Sequence, residues 1–250
     1  MARAELKQDA TEARIASLSL PTGGTWATAA RADALARLRA LGLPARRDEY
    51  WKYTRPDTLI QPEAPLAAVF DSKEPIVFDG IDRLRIVFVD GVFDAAASDD
   101  LALAGVEIER LHAAAAVDIH WARDLYGQLE QRGQVPVERP LAALNTAFAT
   151  DGVLIRVTGR AAKPVNMIYT HESESSDAIL HHVVKVEAGA ELTLLETDRP
   201  PRASTRCGRW MSRMVRNFTI SAHWGATTPA ARPRISLPGS GRKACSNPSP

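Results

Sequence analysis

Few side chains in this sequence have the type and spacing that catalytic or metal-binding sites need. The two cysteines, Cys207 and Cys245, are far apart, whereas zinc and iron–sulfur sites use Cys or His at short, fixed spacing. His181 and His182 are adjacent in a run typical of a strand, so they should point to opposite faces and cannot share one metal. We expect one histidine to be buried and hydrogen-bonded and the other to be exposed.

Acidic pairs and glycine-rich segments do not form a catalytic motif either. The acidic pairs lie in polar surroundings typical of a solvated surface; they are Asp48/Glu49, Asp99/Asp100 and Glu107/Glu109. The GSGRK segment at 239–243 lacks the Gly-x4-Gly-Lys-Ser/Thr spacing of a phosphate-binding loop. The sequence therefore offers no catalytic, cofactor-binding or metal-ligating residue, and we expect a protein that is not an enzyme and binds no cofactor of its own.

The first elements that the sequence predicts, and that would position any site, are helices. Apolar residues at helical spacing predict helices over 3–18, 26–42 and 111–132, and a shorter one over 141–152. In the third helix the residues expected on the inner face are Leu111, Ala115, Ile119 and Trp121.

An aromatic segment follows the second helix. Residues 46–54 read RRDEYWKYT and predict a short helix, whose Tyr50, Trp51 and Tyr53 are more typical of core packing than of a cofactor site. Residues 57–75 are proline-rich and predict an irregular connector.

Later segments alternate with period two and predict strands. The predicted strands lie at 76–78, at 84–94 with an Asp90-Gly91 turn, and at 153–157, 165–169, 179–186 and 191–196. Short, evenly spaced apolar strands favour a sandwich or a β-helix. Each layer of such a stack buries its face only against the next layer, so the architecture needs more coils than these few strands supply. We therefore expect this β domain to be cut off part-way.

Charge divides the chain sharply near residue 199. Residues 199–250 contain ten of the 31 basic residues and none of the 30 acidic ones, so residues 1–198 carry a net charge of −9. The acidic part argues against nucleic acid as its partner. With no membrane-length apolar run, no secretory leader and no cysteine before Cys207, we expect a cytoplasmic protein.

Three motifs, in order, resemble SufD proteins, components of the SUF iron–sulfur cluster assembly machinery. RRDEYWKYT at 46–54 resembles their E-x-WKYT signature, and LAALNTAFATDGVLIRV at 141–157 their passage from helix to core strand. The Lys163-Pro164 turn, followed by HHVVKVEAGAELTLLE at 181–196, resembles their first β-coils. The resemblance covers roughly residues 1–197.

The resemblance implies a fold and partners. The fold class is then α+β, mainly β: an N-terminal helical/α+β region (1–140), the start of a right-handed parallel β-helix (141–198), and a disordered basic tail (199–250). It implies a non-catalytic scaffold subunit in complex with SufB-like and SufC-like proteins, which handles an iron–sulfur cluster only transiently. The family's cluster-assembly and SufC-docking positions lie further towards the C-terminus than the match, so no site residue can be assigned from it.

The tail itself is expected to be out of frame. Suitable synonymous codons for residues 217–234, read two bases later, encode strings such as Leu-His-His-Ile-Arg-Ala that resemble SufD core sequence. We therefore expect a frameshift near Thr197–Pro200 and a C-terminally truncated, impaired protein.

Two other functions stay open at this point. The basic tail could bind nucleic acid through its ten cations, although no nucleic-acid-binding fold is recognisable and this partner is not favoured. A β-helix enzyme acting on carbohydrate would need paired acids on one face, and the strands from 153 to 196 carry only Glu187, Glu191 and Glu196.

Overall fold

The computed structural model describes residues 2–45, 48, 51, 53, 56–63, 78–132, 138–173, 175, 177–199 and 213–222. Helices come first and strands dominate the second half. No helix in these ranges is long and apolar enough to cross a membrane.

The helical part contains two long helices and several short ones. The α-helices are α1 Ala2–Ala16, α2 Thr25–Leu41, α3 Asp57–Ile60, α4 Leu111–Ala115, α5 Leu129–Arg132 and α6 Pro140–Phe148, and a 3-10 helix spans Trp121–Asp124. Helix α2 ends at Leu41: the Gly42 N–H still donates to the Leu38 carbonyl, and the positive φ of 67° at Gly42 then turns the chain out of the helix. The two long N-terminal helices and α6 confirm the sequence prediction.

The strands form two four-stranded sheets. They are β1 Leu84–Val89, β2 Val92–Phe93, β3 Val106–Arg110, β4 Val153–Val157, β5 Val165–Thr170, β6 Asp177–Val186, β7 Leu194–Arg199 and β8 Arg213–Ala222. Sheet A has the order β2-β1-β5-β7, and sheet B has the order β3-β4-β6-β8. The predicted hairpin at Asp90-Gly91 is confirmed, with φ of 49° and 82° at its two turn residues.

From β4 onward the chain passes alternately between the two sheets. Strands β4, β6 and β8 pair in parallel in sheet B, while β5 and β7 pair in parallel in sheet A. Leu154 lies opposite Val183 and Val165 opposite Leu194, an interval of 29 residues in each sheet. Asp177 lies opposite Arg213, a longer interval of 36.

Strand β6 separates two apolar cores. On one side the helical-layer core packs α2, α4 and α6 against sheet B, with Leu38, Leu144 and Val183 fully buried. On the other side the inter-sheet core packs sheet A against sheet B, with Phe88, Ile155 and Leu180 fully buried. Because both faces of β6 are covered, its central residues from Ala178 to Val184 are all buried.

The helix predicted over 111–132 is broken in the structure. Only α4 and α5 are α-helical there, and Ile119, expected on the inner face, is 87% exposed. The break follows from a distant interaction, because Asp118 accepts hydrogen bonds from the N–H and hydroxyl of Thr25 at the start of α2. A carboxylate is stabilised next to the free N–H groups at the N-terminus of a helix. The hydrogen bonds from Thr25 lower the pKa of Asp118.

The aromatic segment and the tail can be compared with the sequence expectations only in part. Tyr53, expected in a core, is 92% exposed, whereas Trp51 is half-buried; Tyr50 and most of 46–54 lie outside those residues. Within the tail expected to be disordered, the structure describes one segment, residues 213–222, as strand β8. Even-numbered residues of β8 are mostly apolar. Its backbone pairs with β6, which would otherwise be the open edge of sheet B.

A buried ion pair fastens α1 to β6. The Arg14 guanidinium is fully buried and donates to both Asp177 carboxylate oxygens, at 2.6 and 3.0 Å. Such a fork-to-fork contact joins residues 163 positions apart in sequence. The N-terminal helix is therefore an integral part of the fold.

We predict that Asp177→Asn lowers the free energy of unfolding by about 3 kcal/mol, because it leaves the buried Arg14 charge without its counter-ion. Urea unfolding followed by circular dichroism measures the change. As a control, Arg123→Ala, which breaks the exposed Arg123–Asp124 pair, should change stability by less than about 0.5 kcal/mol. Equal effects of the two substitutions would contradict the assignment.

Candidate functional site

The adjacent histidines of β6 form the most chemically distinctive pair in the described structure. His181 and His182 are both completely buried, so the expectation that one would be exposed is wrong. They do point to opposite faces: His181 contacts the Tyr126 ring in the helical layer, and His182 contacts Phe88 in the inter-sheet core. The two imidazoles therefore cannot share a metal ion, as the strand geometry predicted.

The hydrogen bonds of His182 define its neutral form. Its Nδ1 accepts a hydrogen bond from the Val153 backbone N–H at 3.1 Å. The proton must then lie on Nε2, which is 3.1 Å from the Tyr169 hydroxyl and donates to it. The tyrosine hydroxyl in turn points to the Met167 sulfur at 3.7 Å. These contacts join β4, β5 and β6 inside the inter-sheet core.

His181 faces a polar group of the helical layer. The Thr146 hydroxyl donates to the Glu130 carboxylate at 2.7 Å and lies 3.3 Å from His181 Nδ1. Because the single hydroxyl proton is given to Glu130, Nδ1 must carry the proton and donate to Thr146. The other oxygen of Glu130 accepts from Arg37 at 2.5 Å.

Burial sets the protonation of this group. Desolvation lowers the pKa of His181 to about 3, so the imidazole is neutral across the physiological range. Desolvation also raises the pKa of Tyr126 to about 12, and its hydroxyl donates to the Thr146 carbonyl at 2.7 Å. The ring centroids of Tyr126 and His181 are 4.4 Å apart.

Sequence reasoning singled out His181 but missed its partners Glu130, Thr146, Tyr126 and Arg37. They come from three different helices and the loop before α5, and no local spacing unites them. The apolar residues that flank the histidines on both sides are typical of a strand covered on both faces. This pattern could have indicated that both histidines need buried partners, but not which residues those are.

The other sequence candidates lie apart from this group. His112 is exposed, while His120 accepts from the Ala122 N–H and lies 3.5 Å from Glu109. Cys207 and Cys245 lie outside the described residues, as does the GSGRK segment. Across the described ranges, no three His, Cys, Asp or Glu side chains are close enough together to hold a metal ion.

The acidic pairs mostly behave as surface groups. Glu107 and Glu109 on β3 are half exposed. Asp99 pairs with Arg85 at 2.7 Å, and the hydrogen bonds from Arg85 lower the pKa of Asp99. These contacts tie strand β1 to the following loop and bring no second carboxylate into a catalytic arrangement.

The described fold is a helical layer packed on two mainly parallel sheets, between which successive strands alternate from β4 onward. His181 and His182 lie inside its two cores. The fold is thus of the mixed α/β class, with helices first and two mainly parallel sheets after them. The family model described as "SufBD protein N-terminal region" matches residues 23–166. The chain therefore belongs to the SufB/SufD family of iron–sulfur cluster assembly proteins. No curated protein matches the chain in a direct sequence comparison.

The family segment is smaller than the folded unit. Arg14 precedes residues 23–166 and Asp177 follows them, and these two residues form an ion pair with each other. His181 and His182 also follow it. The contacts that hold the helical layer to sheet B thus extend beyond the family match on both sides.

We predict that stability falls as pH decreases from about 6.5 towards 3, because unfolding releases His181 to its ordinary pKa and the unfolded chain binds the extra proton. Below 6.5 this one group contributes a slope of about 1.4 kcal/mol per pH unit. Urea unfolding of wild type and His181→Gln across this range isolates the contribution. His181→Gln should lose this contribution to the pH dependence of the unfolding free energy. The control His112→Gln removes an exposed imidazole and measures the effect of losing a histidine that is not buried. An unchanged slope in His181→Gln would contradict the assignment.

Proposed function

We propose that this chain is a SufD-type, non-catalytic scaffold subunit of a SUF iron–sulfur cluster assembly complex. The observation that carries the proposal is the family match over residues 23–166, joined to the three SufD-like motifs in their expected order. The assembly works in the cytoplasm, and its SufB-like and SufC-like partners bind the subunit. The cluster is cargo of the complex, and the subunit itself holds no resident cofactor.

The alternation of strands between two sheets supports the proposed β-helix. Each pass from sheet B to sheet A and back adds one parallel strand to each sheet, which is how the coils of a β-helix stack. We interpret β4 to β7 as its first coils. In a scaffold, such a stack extends one rigid surface from coil to coil.

The tail supports an out-of-frame origin near Thr197–Pro200. No acidic residue occurs from 199 to 250. The interval between paired residues also grows from 29 to 36 across this segment. We propose that residues after this point replace the family's later coils, which impairs the subunit.

Sequencing the gene across codons 195–202 tests the frame. We expect that adding or removing one or two bases there restores a frame encoding acidic residues and Leu-His-His-Ile-Arg-Ala. If no such restored frame exists over residues 217–234, the out-of-frame origin is refuted.

Co-purification tests the scaffold function. The frame-restored protein should retain both the SufB-like and the SufC-like protein of the same source. The present chain should retain less of the SufC-like protein, because in the resembling family that docking segment lies further along. Failure of both forms to bind either partner would overturn the scaffold proposal. Equal retention by both forms would instead overturn the proposed impairment.

A further inference from the structure

Asp-Gly pairs undergo a spontaneous backbone rearrangement, and this chain contains three of them. They are Asp79-Gly80, Asp90-Gly91 and Asp151-Gly152, each followed by Ile or Val. In such a pair the glycine nitrogen attacks the aspartate Cγ, one water leaves, and a succinimide ring forms. Water then opens the ring at either carbonyl and gives aspartate or isoaspartate. Glycine favours the reaction because it has no Cβ to hinder the rotation of the backbone that ring closure needs.

The Asp151-Gly152 pair is held on both sides. The buried Asp151 carboxylate accepts from the Arg110 guanidinium and from the N–H groups of His112 and Gly152. A Cβ on Gly152 would lie 1.9 Å from the His181 carbonyl oxygen, so this peptide has no room to turn. Ring closure at Asp151 therefore requires the surrounding structure to open first.

The Asp90-Gly91 pair in the hairpin turn is held against the loop after β5. The Asp90 carboxylate accepts from the Glu172 and Ser173 N–H groups. Gly91 is buried, and a Cβ on it would lie 2.6 Å from the Ala178 Cβ. This pair also has to open before its nitrogen can reach Cγ.

The Asp79-Gly80 pair lies instead at the exposed tip of a turn. The Asp79 side chain is 70% exposed, and within the described residues no atom lies within 4 Å of the place where a Cβ on Gly80 would stand. The buried Arg83 guanidinium donates to the Phe78 and Ile81 carbonyls, so it holds the two ends of the turn. Its contact with Asp79 is a single one of 3.3 Å to an exposed carboxylate, which is a weak constraint.

We propose that Asp79-Gly80 is a site of spontaneous isoaspartate formation in the folded protein, whereas the fold protects the other two pairs. The Gly80 nitrogen bonds to Asp79 Cγ, and its proton leaves with the carboxyl oxygen as water. Hydrolysis at the main-chain carbonyl then routes the chain through Cβ and Cγ and frees an α-carboxylate, the group that isoaspartyl methyltransferases methylate from S-adenosylmethionine. The added methylene lies just before the Arg83 clamp and β1. This site goes beyond the proposed scaffold function and does not depend on it.

Uptake of ¹⁸O tests the proposal. The folded chain is kept at neutral pH in ¹⁸O-labelled water and digested with trypsin in ordinary water. Each ring opening adds one ¹⁸O, and the three pairs fall in separate tryptic peptides, 74–83, 86–110 and 133–156. Uptake at Asp79 should be at least about tenfold faster than at Asp90 or Asp151, because those pairs react only after local opening. Equal uptake at all three pairs, or no isoaspartate at Asp79, would overturn the proposal.

Concentrated urea provides the control for sequence effects. In the unfolded chain the three pairs should take up label at similar rates, because each is then an exposed Asp-Gly followed by a β-branched residue. If Asp79 keeps its advantage in urea, the difference comes from local sequence, and the protection of the other pairs by the fold is refuted.

Two substitutions test the chemistry at the turn. Gly80→Ala fits the open space, and φ at Gly80 lies outside the left-handed region, so the variant should fold normally and lower the uptake at Asp79 towards that of the two protected pairs. Asp79→Asn should react faster than wild type, because ammonia leaves more readily than water. Unchanged uptake in Gly80→Ala, or slower conversion in Asp79→Asn, would contradict ring closure by the Gly80 nitrogen.

Discussion

The burial of β6 on both faces is the constraint on which the rest of the structure depends. One face closes the helical-layer core and the other closes the inter-sheet core. Any polar residue on this strand must therefore find partners inside the protein. His181 and His182 do so on opposite sides, through Thr146 and through Val153 and Tyr169.

This constraint also explains how distant parts of the chain are held together. Asp177 at the start of β6 binds Arg14 of the N-terminal helix, and Gly152 packs so closely on the His181 backbone that a Cβ would lie 1.9 Å from its carbonyl oxygen. Asn145 donates to the Leu180 carbonyl at 2.7 Å. The strand is thus the common wall of a unit larger than the family segment.

The sequence predicted most of the local structure but little of the site. Hydrophobic periodicity located α1, α2, α6 and the main strands, because those elements bury a regular face. The strand β3 was missed although Val106–Arg110 alternates. The break after α4 depends on the remote Asp118–Thr25 contact, and the Glu130–Thr146–His181 group depends on tertiary packing, so neither is readable from local spacing.

Strand β6 is the shared wall of both cores, and hydrogen exchange tests this directly. Native-state hydrogen exchange at neutral pH with increasing denaturant measures the opening free energy of each amide. We expect the amides of residues 179–184 to exchange only through global unfolding and to be among the slowest in the protein. Exchange of those amides through a local opening, with either core still protected at the global level, would contradict it.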